Sequence, residues 1–414
     1  MSLKTLMSPA ISFVLYGTLI SGIVISGKTM AFKTPAKLRI ATFNVSMEAL
    51  NYREKKSANA TTSKSITGNE LTQALKQDSQ QIKNIAEIIQ RINPDIILLN
   101  EFDRVDNNTE NISNFITNYL NHSQNGQASI TFPYFYQGPV NTGVKINDDL
   151  NHDGKINQQP ADTHGFGYFE GHFGMVLLSK YPINDKAIRT FQHFKWQDMP
   201  NALKPIDPES KQPWYSDKAW QTLRLSSKSH WDIPVKVNDK TIHVLASHPT
   251  PPVFDGPEDR NGKRNHDEIR FWLDYINGEQ AQYIYDDLGN NGGLAADKTF
   301  VLLGDQNASI SGGDAITSKG SQGINALLSN GKIQDPMPSS IGGDLHSVDN
   351  VNSKYHTAYW GMRADYVLPS TVGFTVMDSG VFWPQKNDEA YRLIKDRQAS
   401  SDHRLVWVDV ELSQ

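Results

Sequence analysis

There is no cysteine in the 414 residues. That absence excludes disulfide scaffolds, thiolate zinc sites, iron–sulfur clusters and cysteine nucleophiles. Positive charge is not in excess either: 40 Lys+Arg stand against 45 Asp+Glu, a net charge of -5. A chain so balanced has no global basic field to hold a long polyanion, although it leaves room for a local basic patch. No Pro/Ser/Gly-rich linker separates two complete sets of elements, and no internal repeat is visible. One large domain with long loops is therefore expected, near the upper size of a single core.

Long hydrophobic runs are missing as well. The apolar stretch from Ile11 to Ile25 has about 15 residues where a spanning helix needs about 20. Lys4 precedes it, and Lys28 and the small-x-small pattern Thr29-Met30-Ala31 follow it, which is the order of an export signal. Residues 1–31 are expected to be a signal peptide and residues 32–414 the mature domain, secreted or periplasmic; an uncleaved anchor is the alternative. After signal removal the chain is not expected to be an integral membrane protein.

From there the sequence alternates short β-branched runs with helical periods, the pattern of an α/β or α+β sandwich. Strands are expected at Leu38–Asn44, Ile96–Leu99, Met175–Ser179, Thr241–Ser247, Phe300–Gly304, Ala364–Leu368 and Leu405–Leu412. Amphipathic stripes predict helices at Gln80–Ile92, Asn111–Leu120 and His266–Ile276. Residues 48–79, 138–172 and 189–234 lack a strong period and read as long loops.

The informative positions are those where apolar runs stop or start. Asn44 ends the first strand, Glu101 follows the second, His248 follows Val-Leu-Ala-Ser, and Asp305-Gln306-Asn307 follows Phe-Val-Leu-Leu-Gly. Asp365 and Ser401-Asp402-His403 instead open strands. For all six points to meet at one sheet edge, the first four strands must run antiparallel to the last two, giving mixed sheets. Carboxylates, carboxamides and two imidazoles without thiols suit Mg²⁺ or Mn²⁺, which takes one or two carboxylates plus substrate phosphate oxygens. A histidine held by an aspartate, with Asp/Asn to position water, matches hydrolysis of a phosphate ester.

At Thr42-Phe43-Asn44, Pro94 to Glu101, Ser247-His248, Gly304-Asp305-Gln306-Asn307, Arg363-Ala364-Asp365-Tyr366 and Ser401-Asp402-His403 the chain resembles the endonuclease/exonuclease/phosphatase superfamily of DNase I-like phosphohydrolases. The resemblance runs from about Leu38 to Leu412. It implies a four-layer sandwich, two mixed β-sheets packed face to face with helices outside. It also implies Asn44, Glu101 and Asp402 on the metal, and Asp305 with Asn307 at the nucleophilic water and scissile phosphate. By the same resemblance His403 is the proton-handling imidazole held by Asp365, and His248 the phosphate-side acid. Asn100 stands where Gln is common, and Gln306 where an apolar residue is usual.

Two features lie outside that pattern. Asp149, Asn151, Asp153 and Gly154 reproduce the start of a calcium loop, but position twelve is Pro160 and the acidic substitute is Asp162. A structural Ca²⁺ is one reading; an Asn/Asp/Gly-rich turn is the other. Arg260, Lys263 and Arg264 past His248, with Arg224, Lys228 and His230 nearer the middle of the chain, are candidates for substrate phosphate; the alternative is a solvated loop pairing its own charges.

The expected activity is that of an exported, divalent-metal-dependent phosphohydrolase of nuclease or phosphodiesterase type. Its substrate would be a nucleic acid, nucleotide, phospholipid or sugar or inositol phosphate, and no protein partner is implied. A phosphomonoesterase or sphingomyelinase-like lipid phosphodiesterase is the alternative within enzymes, since fold does not choose among them. A catalytically silent binding protein on the same fold is the alternative outside them.

Overall fold

The computed structural model describes residues 36–53, 66–105, 109–311 and 320–413. The expected signal peptide lies outside them. Pro35–Gln414 form one compact unit.

Eleven strands are described: β1 (Lys37–Met47), β2 (Ile96–Phe102), β3 (Tyr134–Tyr136), β4 (Met175–Ser179), β5 (Arg189–Thr190), β6 (His230–Val237), β7 (Lys240–Ser247), β8 (Thr299–Asp305), β9 (Asp365–Pro369), β10 (Phe374–Val381) and β11 (Val406–Leu412). The helices are α1 (Ala49–Tyr52), α2 (Asn69–Lys76), α3 (Gln80–Ile92), α4 (Glu110–Phe115), α5 (Asp217–Thr222), α6 (Arg260–Ile276), α7 (Gly320–Leu328) and α8 (Ile341–His346). One sheet has the order β10-β11-β1-β2-β4-β3, the other β5-β6-β7-β8-β9. In each, one neighbouring pair is parallel, β1 with β2 and β7 with β8, and the rest are antiparallel.

Side-chain alternation along β8 shows the layering. Val301 and Leu303 enter one core cluster with the strands of the first sheet, while Phe300 and Leu302 enter another with Ile269, Phe271 and Trp272 of α6. A strand buried on both faces reads as a continuous apolar run because each alternate side chain meets a different layer. On the far side α3 lays Ile82, Ile85, Ile88 and Ile89 against the first sheet. The result is helices, sheet, sheet, helices, as the resemblance implies.

The loop expectations need correction. Residues 49–52 and 69–76 are helical, and residues 189–234 contain β5, α5 and the first five residues of β6. Pro234 disguises β6, because proline cannot donate to a ladder. It is tolerated beyond the two-residue β5, with its carbonyl accepting from the Asn184 N–H at 2.9 Å. Residues 138–172 hold no regular helix or strand. α6 starts six residues before its expected first residue, which puts Arg260, Lys263 and Arg264 on a helix instead of a loop. Asn111–Leu120 is helical throughout, but its second half is a π-helical turn.

Candidate active site

Parallel pairing brings the C-terminal ends of β1, β2, β7 and β8 to one edge, and antiparallel pairing brings the starts of β9 and β11 to the same edge. The first sheet delivers Asn44, Glu101 and the Asp402-His403 pair; the second delivers His248, Asp305, Asn307 and Asp365. Two bonds close the seam between sheets. Asn44 Nδ2 donates to Asp305 Oδ2 at 3.1 Å, and the Asp305 N–H donates to Asn100 Oδ1 at 3.2 Å. Asn100 thus serves as an inter-sheet tie. Gln306 is buried beneath the site against Ser247 Oγ, which also accepts from Trp272 Nε1 at 2.9 Å. Gly304 has φ +139°, and a Cβ there would stand 2.0 Å from the Ser247 carbonyl oxygen, so only glycine lets β7 and β8 approach here.

At the centre is a chain of acid, imidazole and acid. His403 Nδ1 lies 2.9 Å from Asp365 Oδ2, and His403 Nε2 lies 3.6 Å from Asp305 Oδ2. Thr357 Oγ1 donates to Asp365 Oδ2 at 2.7 Å and accepts from the Ala364 and Asp365 N–H groups, fixing the aspartate. Burial opposes a charged His403, but Asp365 and Asp305 outweigh it and raise its pKa to about 10. The imidazole is therefore a cation at neutral pH. Burial also disfavours a charged Asp305, yet His403 and His248 hold that carboxylate below its usual range. Asp365 is pushed up by burial despite His403. Trp360, half-exposed, sets its ring edge-on to His403 with centroids 5.0 Å apart.

His248, expected as the phosphate-side acid, faces Asp305. Its Nε2 is 3.4 Å from Asp305 Oδ2, and burial, with the nearby Lys228 charge, pushes its pKa down to about 4. In the substrate-free protein this imidazole positions Asp305. Its Nδ1 has no hydrogen-bond partner. The Asn307 N–H donates to Asp305 Oδ1 at 2.9 Å, and its side-chain amide uses one hydrogen on the Pro249 carbonyl.

Glu101 and Asp402 are the residues of the site that remain partly open. Burial, then repulsion from Asp402 and Glu48, raises Glu101 to about 7. Such crowding of carboxylates is what a divalent cation relieves, and hard oxygen donors suit Mg²⁺ or Mn²⁺. Asn44, the third expected ligand, is held in place on both sides of its amide. Its nitrogen bonds Asp305 and supports Glu101, while its oxygen accepts from the Ser46 N–H at 3.2 Å. Ser46, Glu101 and Asn307 all have φ near +50°, backbone strain of the kind that gathers at functional sites. Among the described residues the one set of three metal-type side chains within 4.8 Å is Asp305, Asp365 and His403. Its imidazole is bound to Asp365 through Nδ1 at 2.9 Å, while Nε2 stands 3.6 Å from Asp305, beyond hydrogen-bond length, and stays available to substrate.

The basic candidates part company. Arg264 is buried and donates to the Leu225, Arg224 and His164 carbonyls. Arg260 pairs with Glu258 and lies over Trp214, Lys263 donates to the Glu258 carbonyl, and Arg224 Nη1 donates to Asn141 Oδ1 at 2.7 Å. His230 is fixed between Ser226 and the Glu268 carbonyl. These are structural ties. Lys228 alone shares an electrostatic neighbourhood with Glu101, Asp305 and His248.

The calcium expectation meets a loop that uses its own acids. Asp149 accepts from the Asp153 and Gly154 N–H groups, Asp153 from Lys155, and Asp162, buried, from Leu150 and Gln158. No three of these acids bring ligand atoms within 4.8 Å of one another, and Asn151 is exposed. These Asx-type bonds belong to an Asn/Asp/Gly-rich turn and equally to the first half of a calcium loop.

Sequence reasoning missed Thr357, and with it Glu48 and His172. Glu48 Oε2 receives the Leu50 N–H at 2.6 Å and stands 3.1 Å from His172 Nε2; Arg397 reaches both Glu48 and Asp402. Nothing local marks them, since none ends an apolar run.

A two-sheet α/β sandwich with Asp, His, Asn and Glu gathered at one edge defines the DNase I-like class of fold. Residues 41–403 match the Endonuclease/Exonuclease/phosphatase family, and the chain belongs to that family of phosphoester hydrolases. Among proteins of curated function none matches the sequence. Among solved structures, an endonuclease/exonuclease/phosphatase from Beutenbergia cavernae is 16% identical with TM-score 0.48, over 91% of this chain and 72% of that one. The human Nocturnin catalytic domain with bound sulfate is 12% identical with TM-score 0.45, over 91% and 95%. A beta toxin mutant from Staphylococcus aureus with bound magnesium ions is 12% identical with TM-score 0.39, over 91% and 100%.

Proposed function

We propose that this protein is an exported, Mg²⁺- or Mn²⁺-dependent phosphohydrolase that cleaves a phosphodiester. The carrying observation is the Asp365–His403–Asp305 chain, set beside Glu101 and Asp402 at the edge where both sheets end. Glu101 and Asp402 would hold the cation, which when bound supplies Lewis acidity at a phosphate oxygen. Asp305, ionised and aligned by Asn44, His248 and Asn307, orients the attacking water. His403, charged and held by Asp365, donates a hydrogen bond to the phosphate as negative charge grows. The test is a panel of DNA, RNA, a simple phosphodiester, a phosphomonoester and a phospholipid, each with and without chelator. Chelator-sensitive turnover of a diester is expected. Absence of turnover on every member favours a silent binding protein instead, and turnover of the monoester alone moves the assignment to a phosphatase.

A further inference from the structure

Lys228 is 6% exposed, and among the described residues no carboxylate or carbonyl takes a hydrogen bond or ion pair from its ammonium. Desolvation of a lone ammonium is costly unless an anion offsets it. The chain around it is firmly held. His230 pairs with Ser247 in the β6–β7 ladder, Ser227 Oγ donates to the His248 carbonyl at 3.3 Å, and the Lys228 carbonyl accepts from the Asn141 N–H at 2.8 Å. Ser227, next in the chain, thus adjoins His248, the residue that abuts Asp305, and the Lys228 charge acts on that imidazole. Glu268, the nearest acid in electrostatic terms, spends its two oxygens on the Ser227 and Thr250 N–H groups.

We infer that Lys228 binds a non-bridging oxygen of the scissile phosphate, completing with His403 the positive side of the cleft. The inference rests on the phosphohydrolase reading and names the anion-holding group of that same site. The ammonium keeps its proton throughout; no bond to it forms or breaks. A fixed, desolvated cation recognises a tetrahedral oxyanion whatever alcohol is attached to it, so its effect should be common to every ester the enzyme accepts.

The experiment compares wild type with Lys228→Met and Lys228→Arg at saturating Mg²⁺. It reads kcat and KM on whichever panel ester is cleaved, inorganic phosphate as a competitive inhibitor, and the phosphate-induced shift in melting temperature. Lys228→Met is expected to lose about 10²- to 10³-fold in kcat/KM, the range for one oxyanion donor. The same variant should weaken phosphate inhibition at least tenfold and abolish the thermal shift. Lys228→Arg, with a bulkier head in the same place, should weaken phosphate inhibition less. If Lys228→Met does not fold, Lys228→Gln, which also removes the charge, carries the comparison. Phosphate binding and kcat/KM within threefold of wild type in whichever of these two neutral variants folds would overturn the inference. So would a large loss of stability with phosphate binding intact, which marks a buried counter-charge to Glu268. If wild type cleaves no panel ester, a phosphate shift that Lys228→Met removes still supports Lys228 and separates its standing from that of the proposed function.

Discussion

His403 receives one carboxylate on each ring nitrogen, and the consequences can be measured one side chain at a time. His403→Ala is expected to lower kcat by about 10²- to 10⁴-fold without preventing folding, the usual contribution of a positioned proton-handling group. Asp365→Asn should resemble it, because an amide no longer fixes the imidazole or sustains its charge. Full activity in either variant, measured as kcat across a metal titration, would remove His403 from the chemistry. Glu101 makes a different prediction. Its folded pKa is raised to about 7 by burial, Asp402 and Glu48, so the protonated form suits the metal-free fold. Stability of the metal-free protein should fall as pH rises from the usual carboxyl range through about 7, whereas Glu101→Gln does not titrate. In chelator, the melting temperature of Glu101→Gln minus that of wild type should therefore grow over that window, and saturating Mg²⁺ should reverse the difference. A gap that is constant with pH would mean Glu101 is not the strained acid.

At the scale of elements, β8 links core and chemistry. Leu303 is buried between the sheets two residues before Asp305, so Leu303→Ala should lower stability by about 2–5 kcal/mol in a denaturant titration. Because the same strand carries Asp305, kcat should fall too; a stability loss of that size with unchanged kcat would show that strand position and site geometry are uncoupled. Strands such as β2, β4, β7 and β8 were legible because each is a short apolar run that stops at a polar residue. β6 was not, since Pro234 breaks its pattern and its tolerance depends on where a two-residue neighbour ends. The start of α6 was hidden by charge: Arg260, Lys263 and Arg264 read as a loop, either phosphate-binding or solvated, until Arg264 is seen donating to three carbonyls from other segments.

For the molecule as a whole, the mixed sandwich and the residue types that close it can be read from the order of residues along the chain. Strand ends announce themselves locally, through an apolar run that halts at Asn44, Glu101, His248 or Asp305, or begins at Asp365 and His403. The direction each strand must run for those ends to meet follows from the same pattern, and the ladders have that direction. The state of each group emerges only on folding, because protonation and pairing depend on neighbours far away in the chain. His403 is cationic because Asp365 and Asp305, 38 and 98 residues distant in sequence, both face it. His248 is neutral because burial and Lys228 surround it. Of the basic residues proposed for phosphate, Arg224 and Arg264 hold an amide and carbonyls of other segments, and Arg260 pairs with its neighbour Glu258. Only packing could reveal that Lys228 has no partner among the described residues at the edge of the site.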